Sequence, residues 1–269
     1  MPELPEVETV KNTLKKLILS KKIILANVYW NNIIAFPEVS EFKKLIENQT
    51  INDILRRGKW LMFELDDYFL LSHLRMEGKY NVKTKNDDLS KHEHVTFLFN
   101  DETELRYHDT RKFGKMYLID KKEVYNVKPL NELGKEPWDK ALTIDYLKTK
   151  LKKKPIKTEL LDQSIITGIG NIYVDEILFL SKINPLKEGK SLTNKELENI
   201  IKYTRDILEK AIKLGGTTVK SYTSSEGVHG KFQNELLVHT KEECPNCHGE
   251  ILKIKVGGRG TYYCNKCQK

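Results

Sequence analysis

The residues with the clearest chemical potential stand at the start of the chain, which reads MPELPEVE over residues 1–8. A methionine followed by proline is expected to be trimmed in the cell, which would leave Pro2 with a secondary amine. An α-amine titrates near pH ~8, so a sizeable fraction is neutral and nucleophilic at neutral pH. Such an amine can form an iminium with a sugar carbon, and Glu3 and Glu6 could move protons beside it. The same residues also fit an ordinary helix start, with prolines and glutamates in the first turn.

A second group of reactive residues lies near the end of the chain, where all four cysteines are found. They form two Cys-x-x-Cys pairs separated by residues 248–263, a spacing typical of a zinc ribbon whose thiolates leave no position open for catalysis. An iron site is the main competing interpretation. No cysteine is left for a disulfide elsewhere, as expected in a reducing compartment. The predicted metal ligands are Cys244, Cys247, Cys264 and Cys267.

Isolated residues in the first half are also candidates for a functional role. Lys59 follows Arg-Arg-Gly at the mouth of a strand, where a solvated lysine is the ordinary interpretation. Met76 lies between charged residues just before a glycine, which favours a protruding side chain over a core one. Arg111 and Phe113 stand two apart before another glycine. His92 belongs to a Lys-His-Glu-His cluster that, taken alone, could form an ordinary solvated loop or a weak metal site.

The second half carries basic and glycine-rich signals. Lys152 opens a run of three lysines, and Arg259 stands on a glycine-rich hairpin tip between the cysteine pairs, where it is a candidate phosphate contact. The Gly-x-Gly at 168–170 would let the backbone approach a ligand, and the free N–H groups of the helix that follows could bind phosphate. A bare Gly-x-Gly is weak evidence, because a helix–turn–helix packing motif is its usual explanation.

Composition limits the class of protein. The chain has 269 residues, of which 39% are hydrophobic and 31% charged, as in a globular protein with a real core. A formal net charge of +8 favours a polyanionic partner, with nucleic acid first, although ribosomal or membrane-surface contacts would explain it equally well. No apolar run approaches the ~20 residues of a membrane span, and the start lacks a signal-peptide pattern. We therefore expect a cytoplasmic protein.

The sequence patterns of the helices and strands that must position these residues predict an α+β protein with two domains. An amphipathic helix over 6–19 is followed by short β-branched and aromatic runs that predict an antiparallel β-sandwich with flanking helices. The second half predicts helices, one of them opened by a capping box at residues 193–196. The predicted strands are 23–30, 51–56, 59–65, 68–74, 94–99, 103–107 and 115–119, and the further helices are 41–47, 143–151, 156–163 and 172–181. The predicted domains are 1–130, a linker at 131–140, 141–235 with a loop at 217–230, and a zinc finger at 236–269.

The opening MPELPEVE resembles the signature of the bacterial formamidopyrimidine-DNA glycosylases. Later stretches, among them RRGKW at 56–60 and GIGNIYVDE at 168–176, also match this family, so the resemblance covers nearly the whole chain. The resemblance implies a bifunctional enzyme that removes 8-oxoguanine and formamidopyrimidines from duplex DNA and cleaves the abasic site by β,δ-elimination. It also implies a helix-two-turn-helix domain with a zinc-ribbon hairpin, one structural zinc and no redox cofactor. The expected protein is a monomer associated with the nucleoid of a bacterium through DNA.

The resemblance also implies catalytic roles. Pro2 would be the nucleophile, Glu3 the leading general acid and base, and Glu6 a nearby support. Lys59 would contact phosphate and assist β-elimination. Arg259 would grip the phosphates at the damaged site and assist δ-elimination.

The resemblance further implies how damaged DNA is bound. Met76, Arg111 and Phe113 match the wedge that fills the duplex where a nucleotide has been extruded, an event that costs a few kcal/mol. The loop at 217–230 would fold over the extruded base. The remaining expected DNA contacts are His92, Lys152, Lys157 and Asn171.

Two rival functions remain from the sequence. One is the endonuclease VIII type of glycosylase, which acts on oxidised pyrimidines and shares the terminal proline; Leu4, together with the Arg111–Phe113 pair, favours the purine branch. The other is a non-catalytic zinc-ribbon DNA-binding protein, which would leave the proline–glutamate terminus unexplained. Within the enzyme interpretation, Lys59 and Lys157 are competing nucleophiles.

Overall fold

The computed structural model describes residues 1–217 and 230–269, and these form two compact units. The first comprises Met1–Asn131, and the second comprises Glu132–Thr217 with Lys231–Lys269. The predicted loop at 217–230 lies outside the described residues except for its two ends. In the part of the chain that is described, no helix combines the length and the apolar character that crossing a membrane requires.

The first unit opens with helix α1, Leu4–Ile18, which begins two residues earlier than its sequence pattern predicts. Its start is set by a capping box, in which the Glu6 carboxylate accepts the Glu3 backbone N–H at 2.8 Å. Val7, Val10 and Leu14 recur at helical spacing and are buried in the core. The helix therefore holds the N-terminal residues against the body of the unit.

A four-stranded and a five-stranded sheet form the body of this unit. The bounds are β1 Ile23–Val28, β2 Ile34–Phe36, helix α2 Val39–Ile46, β3 Asp53–Arg57, β4 Trp60–Glu64, β5 Tyr68–His73, β6 Lys79–Thr84, β7 Glu93–Phe99, β8 Thr103–His108 and β9 Lys115–Asp120. The strands run in the orders β1-β7-β8-β6 and β2-β9-β5-β4-β3, and their pairs are antiparallel except for β2 with β9. One core is shared between the sheets; for example, the Phe63 and Tyr80 rings lie 5.6 Å apart. The predicted β-sandwich is confirmed.

The sequence pattern missed β2 and β6. β2 is only three residues long, too short for a period-2 pattern. β6 is an edge strand in which only Tyr80 and Val82 are apolar, so it resembles a polar loop in sequence. Both strands form because a neighbouring strand supplies hydrogen-bonding partners, which local sequence does not show.

The second unit is helical and ends in a β-hairpin. Helix α6, Asn194–Lys213, begins at the predicted capping box, where Thr193 accepts the Glu196 backbone N–H at 3.3 Å. The segment predicted as a linker is attached to this unit, because the Gly134 and Lys135 N–H groups donate to the carbonyls of Gln163 and Ile165. The bounds are α3 Ile144–Lys150, α4 Ile156–Leu160, α5 Asn171–Leu180, α6 Asn194–Lys213, β10 Leu252–Val256 and β11 Arg259–Tyr263, with short 3-10 turns at Asn31–Ile33, Leu130–Glu132, Gly189–Ser191 and Phe232–Glu235.

Candidate active site and nucleic-acid interface

The N-terminal residues are packed into the first unit and do not project from it. Pro2 and Glu3 are buried, whereas Met1 is exposed. Glu3 caps helix α1, and its carbonyl accepts the Val7 N–H at 3.0 Å. The carboxylate of Glu6 is engaged by the Glu3 backbone, so it orients Glu3. This geometry agrees with a supporting role for Glu6.

Lys59 lies in the turn between β3 and β4. It is only 6% exposed, so the interpretation of a solvated strand-end lysine is wrong. Arg56 donates to the Gly58 carbonyl at 3.0 Å and to the Glu8 carboxylate at 2.8 Å. Burial would raise the pKa of Glu8, but hydrogen bonds from Lys11 and Arg56 lower it below its ordinary value. The Glu8–Arg56 pair therefore ties the helix that carries Pro2 to the turn that carries Lys59.

His73 connects this region to the turn that carries Met76. Burial, together with the charges of Arg75 and Lys59, lowers the pKa of His73 to about 3, so the imidazole is neutral at physiological pH. Its Nδ1 accepts the Arg75 backbone N–H at 2.9 Å, and its ring meets Trp60 edge-on at 4.8 Å. His73 thus fixes the start of the Met76 turn without adding a positive charge beside Lys59.

The predicted wedge residues lie on two turns of the first unit. Phe113 is 50% exposed, which is unusual for a phenylalanine, and the Arg111 guanidinium lies 4.8 Å from the centre of its ring. Met76 is half-buried. An exposed aromatic side chain beside an arginine suits contact with unstacked bases. The wedge role stays a prediction, and the exposure of Phe113 agrees with it.

His92 is half-buried and its ring lies 5.5 Å from that of His108. Within residues 1–217 and 230–269, the only group suited to metal binding is formed by the four cysteines. The structure therefore gives no support to a metal site at the histidines.

In the second unit, three predicted DNA-contacting residues converge on the hairpin β10–β11. The Lys157 ammonium is fully buried and lies 2.8 Å from Asp175 Oδ1 and 2.9 Å from the Gly260 carbonyl. Asn171 donates to the same carbonyl at 3.0 Å. Arg259, one residue earlier, is exposed. Lys157 and Asn171 therefore hold the part of the hairpin that presents Arg259, and their contact with phosphate stays a prediction.

Lys152 is exposed, as the sequence predicts. Its backbone N–H donates to Glu159 Oε1 at 2.6 Å. Burial raises the pKa of Glu159. The hydrogen bond from Lys152 and the charges of nearby lysines lower it, but they offset only part of the effect of burial. Glu159 thereby orders the start of the basic run.

The sequence interpretation missed two acidic residues of α5 that anchor the hairpin. Asp175 Oδ2 accepts the Tyr262 backbone N–H at 3.2 Å and lies 2.8 Å from His239 Nδ1. Glu176 accepts backbone N–H groups from 237, 238 and 239 at 2.8, 3.1 and 2.8 Å. Burial raises the pKa of Glu176, and these hydrogen bonds oppose the shift. Two adjacent acids in an otherwise apolar helix were the available signal.

We expect Glu176→Gln to lower the free energy of unfolding by about 1–3 kcal/mol, because an amide NH2 would replace one acceptor among buried N–H donors. Glu209→Gln is the matched control, since Glu209 is exposed and its carboxylate forms an i,i+4 pair with Lys213. Calorimetric unfolding of both variants measures the difference. Equal stability of the two proteins would show that the Glu176 carboxylate does not anchor segment 237–239.

The four cysteines satisfy the geometric requirements of a zinc site. Their sulfurs all lie within 4.8 Å of one another, with 3.8 Å between Cys244 and Cys267 and 3.5 Å between Cys247 and Cys264. Tetrahedral zinc with Zn–S bonds of about 2.3 Å requires sulfurs about 3.8 Å apart. The site packs against Phe179 of α5. It therefore fits one structural zinc.

Comparisons with known proteins extend over the whole chain. The formamidopyrimidine-DNA glycosylase N-terminal domain model matches residues 1–116, the formamidopyrimidine-DNA glycosylase H2TH domain model matches residues 133–223, and the zinc finger found in FPG and IleRS matches residues 241–269. The formamidopyrimidine-DNA glycosylase of Oceanobacillus iheyensis is 49% identical over 273 residues, covering 100% of this chain and 98% of the relative. That of Bacillus licheniformis is 48% identical, with 100% of both chains covered.

Solved structures agree with these matches. Lactococcus lactis Fpg in complex with DNA containing an abasic site has a TM-score of 0.90 at 42% identity, with 99% of each chain covered. MutM in complex with DNA containing carbocyclic 8-oxo-G also has a TM-score of 0.90 at 42% identity, with 100% of each chain covered. The zinc-finger match supports zinc over iron at the cysteines. From its opening residues to its last cysteine pair, the chain belongs to the formamidopyrimidine-DNA glycosylase family.

Proposed function

We propose that this protein is a base-excision repair glycosylase that removes oxidised purines from duplex DNA and then cleaves the abasic site. The observation that carries the proposal is the full-length agreement with a family whose solved structures contain abasic and 8-oxo-G DNA. The match to the N-terminal domain model begins at residue 1, and Pro2 and Glu3 lie buried at the beginning of α1.

The nucleophile is the Pro2 amine, which is freed when Met1 is removed. Its nitrogen forms a bond to C1′ as the glycosidic bond breaks, and the base leaves with a proton supplied by Glu3. The Pro2 nitrogen then loses its proton, and opening of the sugar ring converts the adduct into an iminium as O4′ takes up a proton. Glu6 keeps Glu3 in place through the 2.8 Å hydrogen bond to its backbone.

The iminium makes the C2′ hydrogen acidic, and loss of that proton expels the 3′ phosphate. A second elimination expels the 5′ phosphate, and water releases the sugar fragment from Pro2. Lys59 assists the first elimination and Arg259 the second, because a cation stabilises the negative charge that develops on a leaving phosphate. The product is a gap of one nucleotide.

Zinc held by Cys244, Cys247, Cys264 and Cys267 would supply structural stability and no chemistry to this reaction, because four thiolates would fill its coordination. The cysteines that hold it flank the hairpin that presents Arg259. The metal site therefore keeps Arg259, the proposed phosphate-binding residue, in place.

Damaged duplex DNA is the expected partner. Met76, Arg111 and Phe113 fill the vacated stack, and His92, Lys152 and Asn171 contact the backbone. The net charge of +8 supports binding to a polyanion. We also propose that the protein acts as a monomer on nucleoid DNA in the bacterial cytoplasm.

The proposal is tested by incubating the protein with duplexes that carry 8-oxoguanine, a formamidopyrimidine, thymine glycol or an abasic site. We expect release of the oxidised purine and a nick that leaves phosphate on both ends of the gap. Preferential cleavage at thymine glycol would instead identify an endonuclease VIII type of enzyme. A protein that shifts the mobility of the DNA without nicking it would be a non-catalytic binder.

A further inference from the structure

One phenol oxygen of the first unit lies against two turns that are distant in sequence. Tyr107, at the end of β8, is fully buried. A Cβ added to Gly78 would lie 2.3 Å from the Tyr107 oxygen, and a Cβ added to Gly114 only 1.7 Å from it. The hydroxyl thus fills the space that a side chain would need at either glycine. Gly78 closes the turn that carries Met76, and Gly114 closes the turn that carries Phe113.

The second turn is organised by a single buried carboxylate. Asp109 Oδ1 accepts the Arg111 N–H at 3.0 Å, and Oδ2 accepts those of Phe113 and Gly114 at 2.9 and 2.8 Å. The Tyr107 hydroxyl donates to the same Oδ2 at 3.4 Å. Because Asp109 is fully buried, these donors replace the water that a carboxylate otherwise requires.

The raised pKa of Tyr107 and one further hydrogen bond support this arrangement. Burial and the charge of Asp109 raise the pKa of Tyr107, so its hydroxyl stays a protonated donor. Thr110 of the second turn donates a hydrogen bond to the Glu77 carboxylate of the first. The turns are therefore joined at the surface by Thr110–Glu77 and beneath it by Tyr107.

We propose that Tyr107 and Asp109 are positioning residues that hold the Met76 turn and the Arg111–Phe113 turn as one preformed wedge. This inference rests on the proposed function, in which the wedge enters damaged DNA. A preformed wedge loses little conformational freedom when it inserts, so more of its interaction with the bases is left to offset base extrusion. Neither residue touches the reacting atoms, and both act through the side chains that they position.

The test compares excision of 8-oxoguanine with cleavage of a preformed abasic site, where extrusion is easier. We expect Asp109→Asn to slow excision by about 10- to 100-fold, because the substitution removes one charge-assisted hydrogen bond from the turn. We expect Tyr107→Phe to slow it by about 3- to 10-fold, since its hydrogen bond is longer. Cleavage of the abasic site should change by less than about twofold.

Tyr80→Phe is the matched control. Tyr80 is also fully buried, and its hydroxyl donates to Ser72 at 2.7 Å, whereas the side-chain atoms nearest to a Cβ added at Gly78 or Gly114 belong to Tyr107. Tyr80→Phe should lose about as much stability as Tyr107→Phe. The ratio of its excision rate to its rate of abasic-site cleavage should stay that of the wild-type protein. Fluorescence of 2-aminopurine placed opposite the lesion should report slower extrusion only in the Tyr107 and Asp109 variants.

Equal slowing on both substrates, or unchanged rates in both variants, would overturn the inference and leave the proposed function intact. A wild-type protein that neither excises nor nicks would instead overturn the proposed function. Thermal unfolding of each variant ensures that rates are compared between folded proteins. A selective loss of excision in folded Tyr107→Phe would establish the positioning role.

Discussion

Retention of Met1, or any residue added ahead of Pro2, is expected to abolish strand cleavage and borohydride trapping while DNA binding survives. An acylated Pro2 nitrogen is an amide without a basic lone pair, so it cannot form the iminium that both steps require. Borohydride reduction of the mature enzyme on damaged DNA should yield a covalent adduct. Mass spectrometry should map that adduct to a peptide that begins at Pro2.

The competing nucleophiles are Lys59 and Lys157, and the structure argues against the second. The Lys157 ammonium is buried between Asp175 at 2.8 Å and the Gly260 carbonyl at 2.9 Å, so it could not reach a sugar carbon without breaking both contacts. Glu3→Gln is the matched variant, because it keeps the amine and should impair base excision more than abasic-site cleavage. An adduct on either lysine, or trapping that persists with Met1 in place, would refute the assignment to Pro2.

Replacement of Cys264 by serine is expected to release the zinc and weaken DNA binding, while the first unit stays folded. Structural zinc contributes about 10–16 kcal/mol to small zinc domains at neutral pH, more than a hairpin of this size can replace. The ligands all belong to the second unit, and Met1–Asn131 has its own core. Metal analysis, circular dichroism and DNA titration measure the three effects.

Arg259→Ala is the control for the zinc prediction. It should keep the metal and the fold but lose phosphate contacts, so its binding defect should be smaller than that of Cys264→Ser. Tight lesion binding by a well-folded, zinc-free variant would show that the metal does not position the hairpin. Equal defects in the two variants would show that zinc acts through Arg259 alone.

Features built from neighbouring residues were predictable from the sequence. The Cys-x-x-Cys pairs need only short turns to bring their sulfurs together, and the metal site is where the spacing predicts it. Helix α6 begins at its capping box, because capping depends on residues within one turn. Most strands of the sandwich also follow from local runs of β-branched and aromatic residues. The family resemblance was likewise carried by short contiguous motifs and is confirmed.

Burial and pairing of the charged residues were decided only by tertiary structure. Lysines are expected at the surface, yet Lys59 and Lys157 are buried, the second against a carbonyl 103 positions away in sequence. The Asp109 carboxylate and the Tyr107 hydroxyl likewise organise the turns that carry Met76 and Phe113. The local sequence of these turns does not reveal that role. Local sequence determines which turns and helices can form. The desolvation of a charge, and the partner that compensates for it, depend on which distant segments fold against it.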